Sequence, residues 1–135
     1  VRWSWLELPL LIAALAVFST GLAMLLSSLY VRYRDVDPIW EVSLFLLFYG
    51  SPIFYTVDLI EQEAPGASQY LLLNPFAVIL QQTRHAILGP GHPNAWEASG
   101  AGGALIVVPI ALTVAVGIAG WLVFRRLAPR IAEEL

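Results

Sequence analysis

Two runs of residues in this sequence have types and spacings suited to specific contacts. The first, Tyr30-Val31-Arg32-Tyr33-Arg34-Asp35-Val36-Asp37-Pro38, alternates aromatic and basic side chains. That pattern suits the headgroup layer of a membrane, where rings and cations both sit favourably. It equally suits docking, because Arg34 and Asp35 are adjacent, need not pair with each other and can engage a partner in trans. The second run, Phe45 to Tyr55, sets Gly50, Ser51 and Pro52 among aromatic side chains. Pro52 has no N–H and crowds the carbonyl of Phe48, so a kink is expected there. Gly50 and Ser51 leave room for another helix or a ligand to come close. On a helix, Phe48 and Tyr55 would share one side and could stack on the apolar faces of sugar rings. The alternative is an interfacial aromatic belt that includes Phe54 and Tyr55.

Catalytic chemistry is not expected. His85 and His92 are separated by Gly89-Pro90-Gly91 and cannot share a helix, so a metal site with Glu97 is not expected either. Glu61 and Glu63 are expected as solvated loop acids, and no Ser-His-Asp spacing stands out. The chain has no cysteine, which excludes disulfides and Cys-ligated metals. All seven basic residues are arginine. A Walker A loop needs a lysine to reach the nucleotide phosphates, so this chain holds no such loop and ATP-driven work falls to another subunit. A net charge of -3 without a basic face gives no support to nucleic-acid binding.

The elements that position these residues follow from composition. Of 135 residues, 59% are apolar and 13% charged, with mean hydropathy +0.74; a soluble domain carries about 25% charged residues. Such a chain is best solvated by lipid. Three segments are long and apolar enough to cross a bilayer, at about 8–30, 39–60 and 104–124. In lipid the backbone must satisfy itself, so each is expected to be helical. The fold class is therefore an all-α integral membrane domain with three transmembrane helices. Asn74-Pro75 has the form of an N-cap followed by proline at the first helical position. After it, Phe76, Ile79, Leu80, Thr83 and Ile87 share a face, with Gln81, Gln82, Arg84 and His85 away from it. This predicts a short amphipathic helix over about 75–88, at or dipping into the interface, in the loop 61–103. Arg32, Arg34, Arg125, Arg126 and Arg130 fall on one side of this topology, and Arg2 and Arg84 on the other. The bias puts the Arg32 turn and the C-terminus in the cytoplasm. The chain begins at Val1 without a signal-peptide pattern and is expected to be the C-terminal portion of something longer.

With these segments in place, the sequence resembles the C-terminal half of a type-2 ABC transporter permease. The closest likeness is to the subfamily exporting polysaccharides, O-antigens or teichoic acids (polyol phosphates). Three motifs carry it in order: Tyr33-Arg34-Asp35-Val36 after an apolar span; Phe48-Tyr49-Gly50-Ser51-Pro52-Ile53-Phe54-Tyr55; and Leu73-Asn74-Pro75-Phe76 with Arg84 in the same helix. The tail, Phe124-Arg125-Arg126 through Ala132-Glu133-Glu134-Leu135, is also similar.

The resemblance implies a permease that pairs as a homodimer in the bacterial inner membrane and binds two ATPase subunits. ATP and Mg would sit on those subunits and no cofactor on this chain. Tyr33, Arg34 and Asp35 would lie close to the ATPase. Phe48, Tyr49, Ser51, Pro52 and Tyr55 would border the path of a lipid-linked glycan, and Asn74, Pro75, Phe76 and Arg84 would belong to an outer gate. Family members carry about six spans, so three would make this a fragment. A membrane anchor or assembly subunit that transports nothing is the rival. A proton- or sodium-coupled carrier is disfavoured, because no span buries an ionisable residue at its middle.

Overall fold

The computed structural model describes residues 3–133, without the side chains of Ser4, 101–103 and 130–133. Arg2, Glu134, Leu135 and the side chain of Arg130 lie outside this description. Among the described residues the chain is helical with no strand. Helix α1 is Leu8–Arg32, α2 Val36–Tyr49, α3 Val57–Glu63, α4 Ser68–Leu71, α5 Pro75–Leu88, α6 Ala95–Ala98 and α7 Val107–Glu133. A 3-10 turn precedes α1 at Trp3–Glu7 and another precedes α7 at Ala101–Ile106.

Two of these helices have membrane length. At about 1.5 Å per residue, the 25 residues of α1 and 27 of α7 exceed a hydrocarbon core about 30 Å thick. Only 11% of the most apolar window of each is buried. They are therefore not the buried core helices of a soluble protein: their apolar surface faces outward and needs lipid. Both have the length and composition of membrane-crossing helices.

α1 and α7 pack on each other at glycine. A Cβ placed on Gly21 would stand 2.7 Å from the Gly117 Cα, and one on Gly120 would collide with the Gly21 carbonyl oxygen. The pairing of Val17 with Gly117 and of Gly21 with both Gly117 and Gly120 shows that the two helices run parallel. Arg125 and Arg126 thus lie toward the same end as Arg32 and Arg34. The chain between the helices must return to the Glu7 end.

That return is not the single helix expected over 39–60. α2 has 14 residues, about 21 Å, and stops at Tyr49. Residues 50–56 are not helical, and α3 begins only at Val57. The kink expected at Pro52 is a full break. Pro52 cannot donate to the Phe48 carbonyl, and the Ser51 hydroxyl competes for the ladder by taking the Leu47 carbonyl at 2.7 Å. The last expected span also starts differently, since 104–106 form a 3-10 turn and the α-helix begins at Val107.

α5 lies alongside α1. Phe76 meets Phe18 edge to face with ring centroids 5.0 Å apart, while Gln82 Nε2 donates to Glu7 Oε2 at 2.6 Å. As the α5 numbering rises the α1 numbering falls, so the two are antiparallel. The N-terminus of α5 sits beside the middle of α1 and its C-terminus beside the α1 start. Asn74 caps it, Oδ1 accepting from Phe76 N–H at 3.0 Å, and Gly89 ends it with φ 95°.

The polar side of α5 faces protein. Gln81, 2% exposed, donates from Nε2 to the Pro93 carbonyl at 2.8 Å. Gln82 Oε1 accepts from Ala95 N–H at 3.0 Å, and His85 Nδ1 meets the His92 carbonyl at 2.7 Å. These bonds fold 89–98 back over α5, where Asn94 and Glu97 form a capping box on α6. Across the connection, Glu61 accepts from the Ser68 hydroxyl at 2.5 Å and from Gly66 N–H at 2.9 Å, which joins α3 to α4. Those two bonds, the hydroxyl first, hold the Glu61 carboxyl below its ordinary pKa. The clip is thus fully present above that ordinary value and is lost as pH falls through the lowered one.

Candidate functional site

The site is built on the end of α2. A helix leaves its last four carbonyls without amide partners, and apolar surroundings make such orphans costly. Here every carbonyl from Leu46 to Pro52 has a donor. Gly50 N–H reaches the Leu46 carbonyl at 2.8 Å and Ser51 N–H the Phe48 carbonyl at 3.4 Å. The Ser51 hydroxyl serves Leu47. The Tyr55 hydroxyl turns back to the Tyr49 carbonyl at 2.6 Å, and Ile53 N–H serves Ser51 at 2.7 Å. The rest come from α5 and its cap: Asn74 Nδ2 donates to the Gly50 carbonyl at 3.5 Å and to Ser51 Oγ at 3.2 Å. Arg84 Nη2 donates to the Pro52 carbonyl at 2.8 Å, and its Nη1 to that of Tyr55 at 3.5 Å.

The structure therefore brings two sets of the expected site residues into one cluster. Ser51, Pro52 and Tyr55 on the return segment meet Asn74 and Arg84, with Pro75 and Phe76 beside them at the start of α5. Ser51 and Pro52 are buried, while Tyr49 is 70% exposed. Phe48 packs edge to face on Tyr49 at 5.5 Å and on Phe54 at 5.4 Å. Phe48 and Tyr55 do not share a helical face, because the helix ends between them. Tyr55 bends back to close the break.

An open apolar cleft of about 1130 Å³ lies between α1, α2 and α5. Phe48, Ser51, Phe76 and Thr83 are among its walls, with Trp40 and Glu41 toward the Arg32 end. Tyr49, Pro52, Tyr55, Asn74, Pro75 and Arg84 are not among them; the side chains of Tyr55, Asn74 and Arg84 satisfy backbone instead. α2 has no buried residue and forms one wall of the cleft.

Tyr33, Arg34 and Asp35 are placed elsewhere, at the exposed turn joining α1 to α2. Tyr33 caps α1, its N–H on the Leu29 carbonyl at 2.8 Å, and the Arg32 guanidinium lies 5.7 Å from the Tyr33 ring centroid. The length of α2 separates this turn from the break. Sequence reasoning does not single out Gln81 and Gln82 as structural donors and acceptors. Their signal is faint, two glutamines on the polar side of a helix in an apolar chain. Asn94-Ala95-Trp96-Glu97 carries a plain capping-box signature.

Comparison with known proteins gives two curated relatives, both an O-antigen export system permease protein RfbA from Klebsiella pneumoniae. One is 29% identical over 84 residues, 62% of this chain and 31% of the relative. The other is 25% identical over 88 residues, 65% of this chain and 32% of the relative. The matched stretch thus spans about a third of the length of these curated relatives. No family model and no solved structure matches the chain. Over the matched stretch the chain is thus similar to O-antigen export permeases.

Proposed function

We propose that this chain is part of the membrane-spanning permease of an ATP-driven exporter of a lipid-linked polysaccharide or related cell-surface glycan. The observation that carries the reading is the broken α2, closed by donors from α5 and bordering an apolar cleft, in a chain whose curated relatives are named as O-antigen export permeases. Unwound backbone at membrane depth is tolerated where protein buries it or where it lines a cavity. Discontinuous helices of this kind recur at transporter sites. In this reading Phe48, Ser51 and Phe76 face the path of the lipid-linked substrate, and Asn74, Pro75 and Arg84 hold the outer gate.

The Arg32 end then faces the cytoplasm of a bacterial cell, with the exposed Tyr33, Arg34 and Asp35 toward an ATPase subunit. ATP and Mg bind on that partner, and two copies of the permease form the transporter in the inner membrane. The test is a deletion of the gene, complemented by the full-length protein, with surface glycan read on gels. A second arm inactivates the Walker A lysine of the ATPase that co-purifies with it. Both lesions should remove surface glycan and leave lipid-linked glycan inside the cell. Unchanged surface glycan after deletion would overturn the proposal. Loss on deletion with no loss in the ATPase variant would instead identify a passive assembly subunit.

A further inference from the structure

We infer that Arg84 and Asn74 form a two-point latch that makes the unwound segment 50–55 and α5 move as one body, with Arg84 a positioning residue and not a contact to the exported glycan. The consequence for export rests on the function proposed above; the latch itself rests on geometry alone. Asn74 holds the start of the segment, through the Gly50 carbonyl and Ser51 Oγ. Arg84, ten residues further and about 15 Å along the helix, holds its far part through the carbonyls of Pro52 and Tyr55. A single attachment would leave the segment free to pivot on α5. Two attachments at separate points fix its position and its direction together.

The chemistry of the acceptors supports the same conclusion. Both Arg84 acceptors are backbone carbonyls on a segment outside any helix. Among the described residues the Pro52 carbonyl takes its hydrogen bond from Arg84 and not from the local backbone. Opening the latch leaves that carbonyl to an apolar surrounding. The two carbonyls are three residues apart, a span that one planar guanidinium can bridge from two nitrogens. A lysine ammonium is a point donor and does not reproduce the fork. Phe54 within the segment packs on Phe48 of α2, so the latch continues into α2. A displacement of α2 would therefore carry α5 with it.

This chain has no cysteine, so once any cysteine elsewhere in the full-length protein is replaced, a disulfide can report the latch in native membranes. Ser51→Cys with Asn74→Cys places thiols where the side chains now lie 3.2 Å apart. These substitutions remove the Asn74 attachment, leaving Arg84 to hold the segment. Closure under copper phenanthroline should be fast with Arg84 present. It should slow by about 10-fold in the Arg84→Ala background, as expected for loss of a charge-assisted hydrogen bond. Arg84→Lys should also be slower than Arg84, and it covers the case where the alanine variant fails to accumulate. Equal closure rates in all three backgrounds would overturn the latch.

Export provides the readout that separates holding from binding. In the Arg84→Ala background the oxidised double-cysteine protein should export more surface glycan than the same protein reduced, because the disulfide replaces the latch. If Arg84→Ala lowers surface glycan and oxidation brings no gain, the positioning role is overturned. If surface glycan is indifferent to every variant while closure still depends on Arg84, the exporter reading fails and the latch stands.

Discussion

Gly120→Val should destabilise the fold severely. A Cβ at Gly120 would collide with the Gly21 carbonyl oxygen, and a Cβ at Gly21 would stand 2.7 Å from the Gly117 Cα. The obstacle is backbone, which cannot swing aside as a side chain would. Valine adds two further methyl groups at the crossing, so α1 and α7 must separate. Overpacking a close contact costs about 1–3 kcal/mol, and a backbone obstacle puts this case at the upper end. Small residues let membrane helices approach and gain dispersion contacts along their length, and separation forfeits those as well. The expected result is a full-length protein whose membrane level and thermal stability in detergent fall sharply. Gly120→Ala should show a smaller loss in the same direction. Gly91→Val, where a Cβ meets nothing within 4 Å, serves as the control and should be near wild type.

The second large effect belongs to Asn74. Its Oδ1 caps α5 and its Nδ2 serves the broken end of α2. Loss of an N-cap costs about 0.5–2 kcal/mol, and a buried carbonyl left without a donor costs about 1–3 kcal/mol. Asn74→Ala loses both functions. Asn74→Ser keeps a capping oxygen but is too short to reach Gly50, so its loss should be intermediate. Asn74→Asp keeps the acceptor and gives up the donor, while adding a negative charge near the helix N-terminus, where the dipole favours it. The expected order of stability is Asn, then Ser and Asp, then Ala, measured as hydrogen-exchange protection of the Val78 and Ile79 amides. Equal protection in Asn74→Ala and wild type would show that the cap contributes nothing to α5.

Much of this architecture is legible in the sequence because it rests on local chemistry. Asn74-Pro75 specifies a helix start within two residues, and Gly89 specifies its end. The apolar runs of α1 and α7 declare themselves by composition. The break in α2 is legible only as a kink. Hydropathy is continuous from 39 to 60, and Pro52 alone does not say how far the helix unwinds. The donors that make a complete break possible, Asn74 and Arg84, lie 23 and 32 residues away from the atoms they serve. No local pattern links them. The polar side of α5 is expected to lie away from the apolar face, and only the fold shows that Gln81, Gln82 and Arg84 are turned to backbone carbonyls and amides. Residue type and order thus identify the site residues, while their mutual contacts come from tertiary structure.

α5 runs beside α1 to the α2 break, so that two partial helices meet near the middle of α1, and the proposed role of the site depends on that meeting lying within the membrane. Spin-label depth measurement in bilayers tests it directly, since the full-length protein can carry single cysteines at Val78 and Leu88 in a stretch free of native ones. These positions are ten residues apart along α5, about 15 Å on its axis. The label at 78 is expected to lie deeper than that at 88 by about 10 Å or more, as the antiparallel packing on α1 requires. Equal depths at the two positions, as for a helix lying flat on the membrane surface, would contradict it.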